Sequence, residues 1–183
     1  MSFLIFASSL AAQAHEGQKR KYTGRPYVEH PFRVASRVIE HLKSMTQKYP
    51  WHKEAIVAAA MLHDVLEDTQ ATEQDVFSNS CQETLGFVKW LTNPSKDRTD
   101  LNRAERKEMD REHLRKAPWE VKLIKLVDRI DNLGEMGDAP WDFKLKYAQE
   151  SILLLDAIGD ADAELAAELL KLAERRKKEA ALP

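Results

Sequence analysis

Two histidines and four acids stand where folding could gather them around a cation. His63-Asp64 lies in AAAMLHDVLEDT, and a second acidic pair, Glu67-Asp68, follows one turn later. Adjacent His and Asp side chains on a helix point about 100° apart, so they grip one ion only where that helix crosses others. The pair ends an apolar run, Ala55-Ile56-Val57-Ala58-Ala59-Ala60-Met61-Leu62. Unpaired charge there is costly and tends to be matched or metal-bound. Asp128 stands in a second apolar stretch, KLIKLVDRIDNL, and His30 in PYVEHPF, where Pro31 sets a helix start at or near the His. His30, His63, Asp64 and Asp128 are therefore the candidate ligands of one ion. Two imidazoles and two carboxylates suit Mn²⁺, Fe²⁺, Co²⁺ or Zn²⁺ better than Ca²⁺ or Mg²⁺.

Two anionic ligands formally neutralise a divalent ion, so bound water is acidified less and a nearby carboxylate base becomes useful. Glu67 is four residues beyond His63, on the same face of a continuous helix, and is the candidate base. Asp68 stands in the same relation to Asp64 and could orient the water or the ligand shell. Asn132, four residues after Asp128, could hold a substrate hydroxyl or a phosphate. Just before His30, QKRKYTGRPY packs four cations beside two aromatics and a glycine turn. Phosphoryl and pyrophosphoryl groups need cations on their non-bridging oxygens, and Arg20 and Lys21 are the candidates. Lys96, Arg98 and Arg103 lie in a polar loop that could close over a polyphosphate. Tyr147, near Lys144 and Lys146, either faces the cleft or packs as an ordinary tyrosine. Tyr27 reads as core. His15 helps order the basic loop, and His41, His52 and His113 fall on exposed faces.

The elements that must position these groups are helices, because apolar residues recur at helical spacing and almost nowhere alternate. Residues 2–14 form a first helix, with Ser2 as N-cap and Phe3, Phe6, Leu10 and Ala14 on one stripe. Their end, Ala12-Gln13-Ala14, mimics a signal-peptidase site, yet no Lys or Arg precedes the apolar run as export requires. A second helix fits Glu29 to Lys48, with Phe32, Ala35, Val38, Ile39 and Leu42 as its stripe. A central third helix starts at Pro50 and runs to about Glu67. Thr72-Glu73-Gln74-Asp75 is a loose cap for a short helix, and Ser80-Cys81-Gln82-Glu83 a capping box for the next, which ends near Thr92. Helices then fit 103–116, 119–136, 141–158 and 161–180, with Gly159 as a stop. The expectation is an all-α bundle of about eight helices forming a single domain over residues 1–183.

Composition narrows the partners. A net charge of −2 gives no general attraction to nucleic acid or anionic membranes, so a phosphate-bearing substrate needs a local basic patch. No stretch approaches the roughly 18 apolar residues of a membrane span. A lone cysteine, Cys81, excludes an internal disulfide and suits a reducing, cytoplasmic compartment. The amphipathic C-terminal helices fit either a homo-oligomer or an ordinary packed core.

Three segments together, AHEGQKRKYTGRPYVEHPFRVA, AAMLHDVLEDT and KLVDRIDNL, resemble the signature segments of the hydrolase domain of RelA/SpoT homologues. The chain is similar to the stand-alone small alarmone hydrolases of that group, within the His-Asp (HD) domain superfamily, over roughly residues 5–160. The resemblance implies an α-helical HD fold binding Mn²⁺, and removal of the 3′-pyrophosphate from (p)ppGpp-like nucleotides by metal-activated water. It also implies that His30, His63, Asp64 and Asp128 are the ligands and that Glu67 and Asp68 are the catalytic acidic pair. Arg20, Lys21, Asn132 and Tyr147 become nucleotide contacts. A synthetase domain is not expected in 183 residues. GEMGDAPWDFKLKYAQ follows the family pattern loosely, which leaves guanosine alarmones, (pp)pApp and NADPH open as substrates, with a non-catalytic nucleotide-binding module as the remaining reading.

Overall fold

The computed structural model describes residues 2–43 and 50–180, and these form ten α-helical segments joined by turns. The backbone pairs as a bridge between Lys19 and Pro26, with no strand among the described residues. The chain divides into two compact units, Met1–Lys19 with Arg25–Lys96, and Arg20–Gly24 with Asp97–Pro183.

The first unit holds α1 (Leu4–Ala14), α2 (Glu29–Lys43), α3 (Pro50–Leu62), α4 (Val65–Asp68), α5 (Glu73–Ser78) and α6 (Gln82–Leu91). Its centre is α3, whose residues Ala55 to Ala60 are all buried and which packs against α1, α2 and α6. The small side chains explain the close packing: α1 presents Ala7 and Ala11, both fully buried. This corrects the expected stripe, since Phe3, Leu10 and Ala14 are only half-buried and Phe6 is exposed. A phenylalanine at the contact would hold the helix axes apart, whereas alanine lets them approach. The α1 start also differs. Phe3 is the N-cap, although the Ser2 hydroxyl does accept from the Leu4 N–H at 3.3 Å.

In α2, Val34, Ala35, Val38 and Leu42 face the core while Ile39 is exposed; residues 44–48 of the expected helix lie outside the described residues. At α5 the loose cap is a full one. Asp75 N–H donates to the Thr72 hydroxyl, and Thr72 N–H donates to the Asp75 carboxylate. The expected box at Ser80 is absent. Ser80 instead donates to the Val76 carbonyl, closing the preceding helix, and Cys81 is the N-cap of α6 without a side-chain bond.

The second unit holds α7 (Arg103–Arg115), α8 (Trp119–Gly134), α9 (Trp141–Ile158) and α10 (Ala163–Ala180). The α7 start is fixed by a capping box between Asn102 and Glu105. The core helix is α8, buried along Val121, Leu123, Ile124, Leu126, Val127, Ile130 and Leu133, with α9 and α10 packed on it. Gly159 ends α9 as expected, because a Cβ there would meet the Leu155 carbonyl oxygen at 2.7 Å. At the other end of α8, Arg176 of α10 donates to the carbonyls of Leu133 (2.9 Å) and Gly134 (3.2 Å). Those carbonyls have no partner further along the helix.

Candidate active site

The third expected helix is interrupted at its chemically important point. It ends at Leu62, His63-Asp64 form a turn, and the chain resumes as the one-turn α4. The Asp64 carbonyl accepts the N–H groups of both Glu67 (3.1 Å) and Asp68 (2.8 Å). Glu67 therefore does not share a continuous helix face with His63, as the spacing suggests. The turn achieves what a helix could not: it folds the two neighbours toward each other, with His63 Nε2 2.9 Å from an Asp64 carboxylate oxygen.

His30 arrives from the first turn of α2, its Nε2 3.6 Å from the same oxygen, Oδ2 of Asp64. Both imidazoles are buried, and their rings meet edge to face at 5.1 Å. The ligand atoms of His30, His63 and Asp64 lie within 4.8 Å of one another. The His63 Nδ1 sits 2.9 Å from the Ala60 carbonyl. That bond requires the proton on Nδ1 and turns the Nε2 lone pair toward Asp64 and His30, the tautomer a metal ligand needs. The donor set thus fits a divalent ion.

Tyr27, read from sequence as core, belongs to this site. Its hydroxyl donates to Asp64 Oδ2 at 2.7 Å and is shared with Asp68 Oδ2 at 3.1 Å. The ring is stacked on His15 (centroids 4.8 Å), and His15 Nδ1 bonds the Gln18 side chain at 2.8 Å. Gln18 Nε2 donates in turn to the Asp68 carbonyl at 3.1 Å. His15 thus orders the chain before His30, as expected, by way of Tyr27. Partial burial first, then the charges of Asp64 and Glu67, push the Asp68 carboxyl above the usual range, while the Tyr27 hydroxyl pulls it back. Glu67 faces a residue that sequence reasoning missed. Asn93 donates to it from the side-chain amide at 2.9 and 3.0 Å and from the backbone N–H at 3.1 Å.

The second unit gathers the remaining candidates. Asp128 is buried on α8, with Lys125 Nζ 3.0 Å from its carboxylate and the Asn132 amide donating to it. Arg20 donates to the Asn132 oxygen at 2.7 Å, so two expected substrate contacts touch each other. The Arg20–Gly24 segment is pinned by Gly137, whose φ is +45° and whose missing Cβ would come within 2.6 Å of the Tyr22 carbonyl oxygen. Lys21 lies over the Tyr22 ring, Tyr22 touches Phe143, and Phe143 is stacked on Tyr147. Arg129, also missed from sequence, lies over the Tyr147 ring at 4.0 Å. Burial first, and then the Asp128 charge, push the Tyr147 phenol up against the opposing effect of Arg129, so it remains a protonated donor. The loop cations are already engaged: Lys96 with the Leu66 carbonyl, Arg98 with Asp100 and Arg103 with Glu150. His52 is half-buried and paired with Glu83 instead of exposed.

A family model for the HD domain matches residues 7–155. The guanosine-3′,5′-bis(diphosphate) 3′-pyrophosphohydrolase MESH1 of Xenopus tropicalis is 32% identical over 136 residues, 74% of this chain and 70% of the relative. The GTP pyrophosphokinase rsh of Brucella melitensis is 34% identical over 149 residues, 78% of this chain, which spans only 18% of that longer protein. A solved structure of a metazoan ortholog of SpoT, described as hydrolysing ppGpp, superposes with a TM-score of 0.75 at 28% identity and covers 96% of both chains.

Proposed function

The chain belongs to the HD domain family, and on that premise we infer that it is a metal-dependent 3′-pyrophosphohydrolase of alarmone nucleotides such as ppGpp. The observation that carries this reading is the meeting of the buried His30 and His63 with the half-buried Asp64, with the acidic pair Glu67-Asp68 in the next turn. His30, His63 and Asp64 would hold a divalent ion there, Mn²⁺ by our reading, which when bound would supply Lewis acidity and lower the pKa of a coordinated water. Asp128 is the proposed fourth donor. Arg20, Lys21, Asn132 and Tyr147 are the proposed contacts to the nucleotide.

The chain's own groups then do the following. His63, fixed by the Ala60 carbonyl, and Asp64, fixed by Tyr27, are held in one orientation before substrate arrives. Glu67 takes a proton from water as its oxygen bonds to the phosphorus next to the ribose 3′ oxygen. The bond from that phosphorus to the 3′ oxygen breaks, pyrophosphate leaves with the water's oxygen, and a proton passes to the 3′ oxygen. Asp68, held by the Tyr27 hydroxyl beside Asp64, is the proposed source of that proton. Arg20 and Lys21 offset the charge on the departing pyrophosphate.

We propose that residues 1–183 act as one domain on this small-molecule substrate in the cytoplasm. The single, half-buried Cys81 and a net charge of −2 support that setting over nucleic acid or anionic membrane partners. No helix among the described residues is long and apolar enough to cross a membrane. The test is product analysis by ion exchange after incubation of the purified protein and Mn²⁺ with ppGpp, ppApp and NADPH. Release of pyrophosphate from ppGpp or ppApp is the expected result. Release from neither defeats the proposal, and orthophosphate from NADPH points to a phosphatase.

A further inference from the structure

Glu67 sits on a helix of four residues, Val65–Asp68. One turn is below the length at which a helix is stable alone. A glutamate carries three rotatable bonds whose freedom must be lost on fixing it, so a proton acceptor there needs something outside its own helix to aim it. The chain after α6 provides this. Thr92 leaves the helix in extended conformation, anchored by its N–H (3.0 Å) and its hydroxyl (2.9 Å) on the Val88 carbonyl. Pro94 then disfavours a helical backbone at Asn93, and the Lys96 N–H closes the turn on the Asn93 carbonyl at 3.1 Å. Ser95 inside this turn is buried.

This turn grips α4 at two points. Lys96 Nζ donates to the Leu66 carbonyl at 3.0 Å. Asn93 gives the Glu67 carboxylate three contacts, amide Nδ2 to Oε1 (2.9 Å) and to Oε2 (3.0 Å), and backbone N–H to Oε2 (3.1 Å). A carboxylate has about four acceptor sites, so these bonds fix its plane and leave room for one more donor, such as a water. The donors are neutral, so the carboxylate is oriented without being locked into an ion pair.

We propose that Asn93 is a positioning residue for the hydrolytic reaction, aiming the Glu67 carboxylate at the attacking water. The inference rests on Glu67 being the base. The test is a kinetic cycle of Asn93→Ala, Glu67→Gln and the double variant, with Asn93→Asp as a near-isosteric control, on folded, Mn²⁺-loaded protein.

Asn93→Ala lowers kcat by roughly 10- to 100-fold, as misplacement of a reacting group by about 1 Å does. KM stays within about twofold, because substrate binding is not what is lost. Metal content is unchanged. On the Glu67→Gln background the same substitution costs less than about twofold, since no base remains to be aimed. Asn93→Asp falls at least as far as Asn93→Ala, because it sets carboxylate against carboxylate. A residue that merely filled the turn would leave Asn93→Asp near the unmodified rate and Asn93→Ala equally costly on both backgrounds. Either result overturns the assignment. Full activity of Glu67→Gln would instead remove the base reading on which it rests, and absence of pyrophosphate release by the unmodified protein would defeat the functional reading itself.

Discussion

Replacing Tyr27 with phenylalanine removes one oxygen atom and leaves the ring stacked on His15. The lost group is the hydroxyl 2.7 Å from Asp64 Oδ2 and 3.1 Å from Asp68 Oδ2. A phenol carries one proton, so one charge-assisted bond is the amount to count, and the shorter contact takes most of it. Hydrogen bonds to charged groups contribute about 1.5–3 kcal/mol. The Asp64 side chain is 15% exposed, so water replaces part of the lost bond and the lower end applies. About 1.5–2 kcal/mol corresponds to a 10- to 30-fold loss, within the 10- to 100-fold range seen when a group supporting a metal ligand is removed. The assay is competition for Mn²⁺ between the variant and a chelator of known affinity, with thermal unfolding followed alongside. The expected outcome is Mn²⁺ binding weaker by up to that factor, together with a lower metal-free melting midpoint, since the same bond also stabilises the fold without the ion. Affinity within about twofold of the unmodified protein would refute the view that Tyr27 orients Asp64 for the ion.

Other substitutions test other parts of the argument. Asp128→Ala should strip metal from the protein during dialysis, exceeding the roughly 100-fold loss of a merely supporting group; full metal content by elemental analysis would exclude Asp128 from the ligand set. Gly137→Ala forces a side chain into a left-handed backbone position, 2.6 Å from the Tyr22 carbonyl. It should cost on the order of 1–3 kcal/mol in denaturant unfolding and raise KM through Arg20 and Lys21, without touching metal content. The Thr72 hydroxyl and N–H hold the Asp75 carboxyl below its ordinary range. Its stabilising contribution is therefore complete above the unfolded carboxylate value and fades as pH falls through the lowered one. Thr72→Ala should lower the denaturation midpoint at neutral pH and flatten its decline in that acidic window, both readable by circular dichroism.

The helices were legible where punctuation and periodicity agreed. α9 runs from Trp141 to Ile158 as expected, because Pro140 opens it and Gly159 closes it. The break after Leu62 carries no such mark, since AAAMLHDVLEDT holds neither proline nor glycine. That break is set by the Asp64 carbonyl and the His63 ring bonding locally, against a strong helical pattern. At Ser80 the hydroxyl donates back to the Val76 carbonyl and closes the preceding helix, in place of accepting an N–H from the next one as a cap. The contact face of α1 escapes a reading by side-chain size, because close approach of helices requires alanine, here Ala7 and Ala11.

At the site, His30, His63 and Asp64 were visible because their residue types have few uses in an apolar setting. Tyr27 and Asn93 were not, since a tyrosine or an asparagine is chemically ordinary until a carboxylate 37 or 26 residues away in sequence is set against it. Nothing in their spacing announces such pairings. Arg25 shows the converse: it counted toward the basic cluster, yet it pairs with Glu29 one turn on.

The hold of Arg176 on the last carbonyls of α8 ties the fate of one end of the chain to another place. Leu133, whose carbonyl accepts from Arg176, directly follows Asn132. A protease that nicked α10 upstream of Arg176, or a truncation ending there, would free those carbonyls and let the final turn of α8 unwind from its end. Damage at the tail would then register as lost grip between Arg20 and Asn132, although no residue of that pair had been altered.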